Sequence, residues 1–326
     1  MSFKDIKGQD KPITILRGYL NSSSIKGAYL FIGPEGVGKR LIAKTFAKAV
    51  NCLNQNDDSC DTCSSCLNID KNQHPDIHFI DNQDTDAIKI EFIRHLKKDI
   101  NLKSYQGKLK VFIINDAHNL TAEAANALLK ILEEPPENSL IILISAKPAL
   151  LFKTIISRCK IVRFHSVKRM ELKELLKKDY SLDNALAHFL AYFSEGRIGR
   201  ALRLKDTDIL REKNRVIDEF SIFRPSGLEG LSRQDRQGLR MYLNILAAWF
   251  RDIYLLKIGM PHSELINLDR KTELLKFMSR YSLFDLDEIL NSISDSLLYL
   301  EENINIVIEQ ILRHIEITCQ AVLRPF

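Results

Sequence analysis

Short, continuous apolar runs alternate with helical patterns through the first half of the chain. Five strand candidates stand out, at residues 28–32, 78–80, 110–114, 140–145 and 160–164. Between them, apolar residues recur at helical spacing, most clearly at 40–51, 88–100 and 121–134. Apolar strands that alternate with helices are typical of a parallel sheet covered by helices on both faces. The pattern therefore predicts an α/β domain that extends to about residue 165.

Beyond residue 165 the strand-like runs stop and the pattern is helical. It predicts helices at 170–178 and 182–194, followed by a longer helical region to the end of the chain. Residues 239–258 carry a wide apolar face, and apolar residues between 304 and 315 follow the i, i+3, i+4, i+7 spacing closely. Such stripes indicate a protein core or a surface for subunit packing.

Composition and charge narrow the class of protein only slightly. The 326 residues are 45% hydrophobic and 27% charged, a balance typical of soluble globular proteins. No apolar run approaches the roughly 20 residues that span a bilayer, and the first residues lack the pattern of a secretory signal. We therefore expect a cytoplasmic location and no membrane partner. The net charge of +5 permits contact with nucleic acid but does not indicate it.

A candidate phosphate-binding loop follows the first apolar run. Residues 33–39 match the pattern G-x-x-x-x-G-K, and they lie directly between a predicted strand and a predicted helix. Gly33, Gly36 and Gly38 would let backbone N–H groups surround a phosphate, and Lys39 would reach the outer phosphates of a nucleotide. The position between strand and helix favours a nucleotide site over an ordinary glycine-rich turn.

The residues that would hold magnesium at this site are altered. Arg40 stands where the pattern has Ser or Thr, whose hydroxyl binds Mg²⁺. After the third strand, Asn115 takes the place of the metal-binding Asp, and Asp116 takes the place of the Glu that orients water. A shift of one residue would put Asp116 at the metal position instead. We expect little or no intrinsic ATP hydrolysis, with binding of ATP or ADP through Lys39 left open.

Four of the six cysteines lie in one short stretch with metal-site spacing. Cys52, Cys60, Cys63 and Cys66 are spaced C-x7-C-x2-C-x2-C, which favours a closed site for structural Zn²⁺. An iron–sulfur cluster or free thiols are the alternatives. Three aspartates in the same stretch are predicted to be solvated loop charges rather than ligands: Asp57, Asp58 and Asp61.

Several segments together resemble one protein family. They are the phosphate loop, the cysteine cluster, the run NALLKILEEPP at 126–136 and the run TIISRC at 154–159. In these segments the chain resembles the bacterial clamp-loader family, which belongs to the AAA+ ATPases. The resemblance covers the first half closely, whereas the last third matches mainly in its helical character.

The resemblance implies roles for two arginines. Arg158, in the run Ser-Arg-Cys, would act as an arginine finger on nucleotide held by the neighbouring subunit. Arg200 would face the nucleotide site of its own chain, or would support packing between domains if that site is empty. Ser145, at the end of the fourth strand, occupies the place of a γ-phosphate sensor. The alternative for Arg158 is an ordinary surface arginine in a salt bridge. The resemblance also points to zinc at the cysteine cluster.

The resemblance further implies an organisation and a set of partners. We expect a P-loop AAA+ domain with a zinc-binding insert at 1–165, a helical lid at 166–208 and an all-α collar domain at 209–326. The chain would join motor and delta-type subunits in a hetero-pentamer. This complex would open a sliding clamp, which the chain contacts indirectly, and would place it on primed DNA. The alternatives are a self-sufficient AAA+ ATPase and a zinc-bearing DNA-binding module.

Overall fold

The computed structural model describes residues 1–22, 25–54, 57–81, 87–221 and 236–301. The described residues form two compact units, one within residues 1–167 together with 197–200, and one of residues 168–196 together with the described residues after 200. The division into three domains stays a prediction. Among the described residues, no helix combines the length and the apolar character needed to cross a membrane.

The first unit contains the predicted parallel sheet. Its five strands follow the order β2-β3-β4-β1-β5, and every neighbouring pair is parallel. The strands are β1 (Gly27–Ile32), β2 (Ile77–Ile80), β3 (Lys110–Ile114), β4 (Ser139–Ser145) and β5 (Lys160–Arg163). The α/β fold with a parallel sheet, followed by a helical region, is therefore confirmed.

Strand register places the candidate nucleotide residues at one edge of the sheet. Ile32 at the end of β1 pairs with Ser145 at the end of β4, and Ile114 at the end of β3 pairs with Leu143 of β4. The carboxyl ends of these three strands therefore lie side by side. In open α/β sheets, ligands bind at this edge.

Helices cover both faces of the sheet, as the continuous apolar strands require. Successive residues of β4 alternate between two buried clusters: Leu140 and Ile142 belong to one, and Ile141 and Leu143 belong to the other. The helices of this unit are α1 (Asp10–Leu20), α2 (Lys39–Val50), α3 (Ser64–Asp70), α4 (Ile90–Ile100), α5 (Ala122–Glu133) and α6 (Lys153–Ile156).

Helix α5 begins one residue later and ends one residue earlier than the predicted range 121–134. The Thr121 hydroxyl caps it by accepting a hydrogen bond from the Ala124 N–H at 3.2 Å. The helix ends at Glu133, shortly before Pro135, because proline cannot continue the hydrogen-bond ladder. Glu133 is thereby placed at the exposed carboxyl end of the helix.

The second unit is helical in its described part. Its longest helix carries the fully buried Trp249, and the predicted stripe at 304–315 lies outside the described residues. The helices after β5 are α7 (Arg169–Tyr180), α8 (Asn184–Phe193), α9 (Ile198–Lys205), α10 (Ile209–Ser221), α11 (Arg236–Lys257), α12 (Lys271–Met278) and α13 (Leu283–Glu301). The first residues of α9 belong to the first unit.

Candidate functional site

The loop at residues 33–39 has the backbone conformation of a phosphate-binding loop. Gly36 has φ of 78° and Gly38, the N-cap of α2, has φ of 99°, values that side chains other than glycine rarely adopt. At Gly33, a Cβ would lie only 2.3 Å from the Phe164 carbonyl oxygen. These positions therefore need glycine, and the loop directs the N-terminus of α2 toward the carboxyl edge of the sheet.

Lys39 is folded against the loop that carries it. Its ammonium donates hydrogen bonds to the carbonyl oxygens of Gly33 at 2.5 Å and Pro34 at 2.7 Å, and the residue is buried. Burial lowers the pKa of Lys39 to about 8, although Asp116 and Glu35 oppose that shift. The cationic form is still favoured at pH 7, so the Lys39 ammonium can bind an anion such as a phosphate.

Arg40 forms an ion pair that the sequence does not predict. Its Nη2 lies 2.5 Å from Oδ2 of Asp81, the residue directly after β2. The guanidinium also lies over the Phe79 ring, 5.9 Å from its centroid. A paired guanidinium thus follows Lys39, where an active phosphate loop has a small hydroxyl. Arginine has no lone pair to offer a metal, and its charge repels one.

The residues after β3 are engaged with each other. The Asn115 amide group donates a hydrogen bond to Oδ2 of Asp116 at 2.9 Å, and the Asn115 backbone N–H donates to the Ile80 carbonyl oxygen at 3.0 Å. Asp116 has φ of 48°, a left-handed conformation that aspartate adopts more readily than most residues. The neutral Asn115 therefore stands directly after the strand, and the carboxylate comes one residue later.

Ser145 and His118 lie next to each other at the same edge of the sheet. The buried Ser145 hydroxyl is 3.4 Å from Nδ1 of His118 and accepts a hydrogen bond from the Lys147 backbone N–H at 3.2 Å. Burial lowers the pKa of His118, and Asp116 opposes that shift. The position predicted for a γ-phosphate sensor is thus linked to the segment that follows β3.

Helix α9 begins against the phosphate loop. The Gly199 backbone N–H donates a 2.7 Å hydrogen bond to the Gly36 carbonyl oxygen. A Cβ at Gly199 would lie 2.8 Å from that oxygen, so the close approach requires glycine. Arg200, the next residue, is half-buried and belongs to the first unit with the loop. The predicted nucleotide-facing arginine is therefore adjacent to a direct contact with the loop.

Arg158 follows the short helix α6 and is held by acceptors of its own chain. Its Nε and Nη2 lie 3.0 and 2.6 Å from Oε1 of Glu133, and its Nη1 donates to the Thr154 carbonyl oxygen at 2.9 Å. The residue remains 34% exposed. Burial raises the pKa of the neighbouring Cys159 thiol to about 12, which disfavours the reactive thiolate.

The four clustered cysteines are brought together as a candidate metal centre. The Sγ atoms of Cys52, Cys60, Cys63 and Cys66 all lie within 4.8 Å of one another. Zinc bound by four cysteines is about 2.3 Å from each sulfur, which places the sulfurs roughly 3.8 Å apart. The arrangement therefore fits a tetrahedral ion and leaves no ligand position open.

Local structure explains how the cysteines converge. Cys63 is the N-cap of α3, and its sulfur accepts a hydrogen bond from the Cys66 N–H at 3.4 Å. Hydrogen bonds from Thr62 lower the pKa of Cys60 to about 6, whereas burial raises the pKa of Cys66. Cys52 lies two residues after the end of α2. The first turn of α3 and the end of α2 thus supply three of the four sulfurs.

The sequence predicts that the aspartates near this cluster are solvated loop charges. That prediction is wrong for Asp58, which is buried, and Asp61 is only partly exposed and forms an ion pair. Asp58 is 1% exposed and accepts hydrogen bonds from the Phe3 N–H at 2.9 Å and from Arg17 at 2.8 Å. Asp61 pairs with the buried Lys48 of α2 at 2.6 Å. These carboxylates attach the cysteine segment to α1 and α2, which sequence spacing alone does not reveal.

Comparisons with known proteins find relatives among the subunits of DNA polymerase III. A family model described as "DNA polymerase III, delta subunit" matches residues 8–168. The chain is 29% identical over 262 residues to DNA polymerase III subunit delta' of Bacillus subtilis, covering 77% of this chain and 78% of that protein. In this match the chain is similar to subunits of the DNA polymerase III clamp loader. The matched residues include the phosphate loop, the cysteine cluster and Arg158.

Other similar proteins differ in how much of each chain the match covers. It is 34% identical to DNA polymerase III subunit tau of Escherichia coli over 216 residues, which are 64% of this chain but only 33% of that protein. A crystal structure of a DNA polymerase III gamma subunit-related protein from Thermotoga maritima aligns with a TM-score of 0.49 at 19% identity, covering 96% of this chain and 100% of that one.

The structure adds four residues to the candidate site that sequence analysis did not assign. Asp81 was the most accessible to prediction, because it is the first polar residue after a predicted strand at the ligand edge. The other three carry no signal that motif spacing reveals, since their partners are distant in sequence. They are His118, Glu133 and Gly199.

Proposed function

We propose that the chain is a delta-prime-like clamp-loader subunit with a degenerate ATP site, which supplies Arg158 to the nucleotide of a neighbouring ATPase subunit. The observation that carries the proposal is the ion pair between Arg40 and Asp81. The residue engaged in this pair offers no metal ligand at the loop position where an active site binds Mg²⁺ through a hydroxyl. The chain would thus act on ATP held by another subunit and not on its own.

Without ligands for magnesium, the chain would lack efficient ATP hydrolysis, because phosphoryl transfer depends mainly on positioning and on the metal. Arg40 offers no metal ligand, and Asn115 provides an amide in place of a carboxylate. The glycine loop and the cationic Lys39 remain, and both favour anions. The site would therefore retain some affinity for ATP or ADP while lacking efficient hydrolysis.

Arg158 has the chemistry that action on a neighbouring subunit requires. A guanidinium is always charged, and it donates several hydrogen bonds in a fixed plane to phosphate oxygens. Arg158 lies at an exposed turn and not in the core, so a neighbouring chain can reach it. We expect it to stabilise negative charge on the γ-phosphate during hydrolysis.

The cysteine cluster would hold structural Zn²⁺. All four positions of a tetrahedral ion are filled by sulfur, which leaves none for water or substrate. The ion would fix the segment between α2 and β2, to which Asp58 and Asp61 already contribute. No step of the proposed function passes through it.

Assembly would involve the helical part of the chain. We expect residues 166–208 to form a lid and residues 209–326 to form a collar that joins motor and delta-type subunits in a hetero-pentamer. The complex would load the sliding clamp on primed DNA. Support comes from the delta-prime relative, which the chain matches over 77% of its own length and therefore beyond the nucleotide fold.

The second candidate function is an active ATPase, either the motor of the same complex or another AAA+ protein. The comparison with tau favours the active ATPase. Tau is 34% identical to this chain over 216 residues, whereas the delta-prime relative is 29% identical over 262 residues. The altered residues Arg40 and Asn115 favour the first proposal.

Equilibrium binding of ATP to the isolated chain, with and without magnesium, separates the two candidates. We expect binding that magnesium does not strengthen, and no turnover in the same sample. Lys39→Ala is the control, since it should remove any binding that takes place at the loop. Tight, magnesium-dependent binding with turnover would overturn the proposal in favour of the active ATPase.

A further inference from the structure

The guanidinium of Arg158 is held from two sides. On one side, Nε and Nη2 both lie within hydrogen-bond distance of Oε1 of Glu133, at 3.0 and 2.6 Å. On the other side, Nη1 donates to the Thr154 carbonyl oxygen at 2.9 Å and lies 3.4 Å from the Ser157 hydroxyl. Glu133 ends α5, so a helix that packs against the sheet supports one of the two contacts.

This arrangement fixes the guanidinium without using all its donors. Arginine has five N–H groups. The contacts to Glu133, Thr154 and Ser157 engage one on Nε, one on Nη2 and at most two on Nη1. At least one Nη2 N–H therefore has no acceptor among the residues that the structure describes. The side chain is oriented and yet retains a donor for a further anion.

We propose that Glu133 is a positioning residue for Arg158: it holds the finger by its Nε edge so that the remaining donors are presented to the neighbouring subunit's phosphate. The inference rests on the proposed function of Arg158. Arginine loses considerable rotamer entropy when it is fixed, and a finger fixed in advance pays less of that loss when the phosphate arrives.

The carboxylate orients the finger without cancelling its charge. Glu133 is 50% exposed and Arg158 is 34% exposed, so water screens the attraction between them. Such a pair contributes little energy at a protein surface, but it restricts geometry when a second contact acts with it. Here the second contact is the backbone oxygen of Thr154, whose position does not depend on a side-chain rotamer.

The opposite role is a distinct and testable alternative. If Glu133 competed with phosphate for the guanidinium, neutralising its charge would release the finger and raise the rate. If Glu133 positions the finger, an acceptor oxygen is what matters, and Glu133→Gln retains one. Glu133→Ala removes it. Glu134→Ala is the matched control, because Glu134 is the next residue and is also exposed.

The experiment is steady-state ATP hydrolysis by the clamp-loader assembly reconstituted with its partner subunits. We expect Glu133→Ala to lower kcat roughly tenfold with KM unchanged, because a misplaced group loses transition-state contact. Glu133→Gln should keep most of the rate, and Glu134→Ala should keep all of it. The double variant Glu133→Ala with Arg158→Ala should be no slower than Arg158→Ala alone. Unchanged zinc content and assembly would show that the variants fold.

The outcomes separate this inference from the proposed function. If Arg158→Ala leaves the rate unchanged, the finger role itself fails and this inference fails with it. If Arg158→Ala slows hydrolysis but Glu133→Ala does not, only the positioning role is overturned. A faster Glu133→Gln assembly would show competition with phosphate instead. A double variant slower than Arg158→Ala would show that Glu133 acts elsewhere.

Discussion

Arg40 of the phosphate loop is paired with Asp81 at the end of β2, with Nη2 and Oδ2 2.5 Å apart. The two residues are 41 positions apart in sequence, and the parallel sheet brings them together because β2 ends at the edge that the loop occupies. The pair gives Arg40 a fixed place in the loop. In the proposed function, Arg40 offers Mg²⁺ no ligand at the position where an active loop supplies a hydroxyl.

Replacing Arg40 should restore a response to magnesium. The double variant Arg40→Ser with Asn115→Asp supplies the hydroxyl and the carboxylate that Mg²⁺ prefers. We expect magnesium to tighten its ATP binding about tenfold or more, which corresponds to roughly 1.4 kcal/mol. Titration calorimetry with and without magnesium measures this. The control is Arg94→Ser, which removes an exposed arginine of α4. Equal affinity with and without the metal in the double variant would show that Arg40 is not what excludes it.

Removing one cysteine sulfur should release the metal. Cys66 is buried within the cluster, so Cys66→Ser leaves three sulfurs and a poor ligand in a closed site. We expect one zinc per chain in the parent protein and almost none in the variant. The melting temperature should fall by about 5 °C or more, because metal binding stabilises the folded segment.

Elemental analysis and thermal unfolding of the same samples test the zinc prediction. Cys159→Ala is the matched control, since this cysteine is outside the cluster and should leave the metal in place. Stoichiometric zinc in Cys66→Ser would contradict the four-sulfur site. Iron in place of zinc in the parent protein would favour the iron–sulfur alternative.

The approach of α9 to the phosphate loop should fail when Gly199 gains a side chain. In Gly199→Ala, the new Cβ would lie 2.8 Å from the Gly36 carbonyl oxygen, closer than van der Waals contact allows. Since overpacking of this kind costs about 1–3 kcal/mol, we expect a lower melting temperature and weaker nucleotide binding. Gly18→Ala is the control, because no atom lies within 4 Å of a Cβ there. Equal stability of the two variants would show that the contact with the loop is dispensable.

The strands and the motifs could be predicted from sequence because each depends on residues that are close together in the chain. Residues 111–114 form a continuous apolar run, as is typical of a strand buried on both faces. The loop at 33–39 could be predicted because its positive φ angles require glycine, and the glycines are visible in the sequence. The convergence of the four cysteine sulfurs agrees with their spacing, because an N-cap and a first helical turn place Cys63 and Cys66 close together.

The partners of the site residues could not be predicted in this way. The run Ser-Arg-Cys singles out Arg158 in the sequence, but its contact with Glu133 joins residues that are 25 positions apart. The sequence predicts Asp58 to be a loop charge because its neighbours in sequence are polar. Its hydrogen-bond partners, Phe3 and Arg17, come from the start of the chain. Burial of a charge depends on which segments meet, and only the tertiary structure decides that.

Asp76 should make the stability of the first unit depend on pH in the acid range. This buried carboxylate accepts hydrogen bonds from the backbone N–H groups of Tyr105, Gln106 and Gly107 at 2.7, 2.7 and 2.8 Å. Burial acts to raise its pKa, but these hydrogen bonds prevail and the pKa lies below its usual value. The ionised form is therefore favoured more in the folded than in the unfolded state.

The sign of the effect follows from that difference. The contribution of Asp76 to stability is complete above the pKa of an unfolded aspartate, about 3.9, and is lost as the pH falls through the lower folded value. In Asp76→Asn, the amide presents N–H groups where two backbone donors need an acceptor. We expect a loss of about 2–4 kcal/mol at pH 7. Urea unfolding from pH 7 down to about pH 3 should show the gap between parent and variant constant at first and then narrowing below about pH 4. Asp57→Asn is the control, because Asp57 is exposed and should leave stability unchanged at every pH. A gap that persists undiminished at the lowest pH would show that Asp76 acts through its shape and not through its charge.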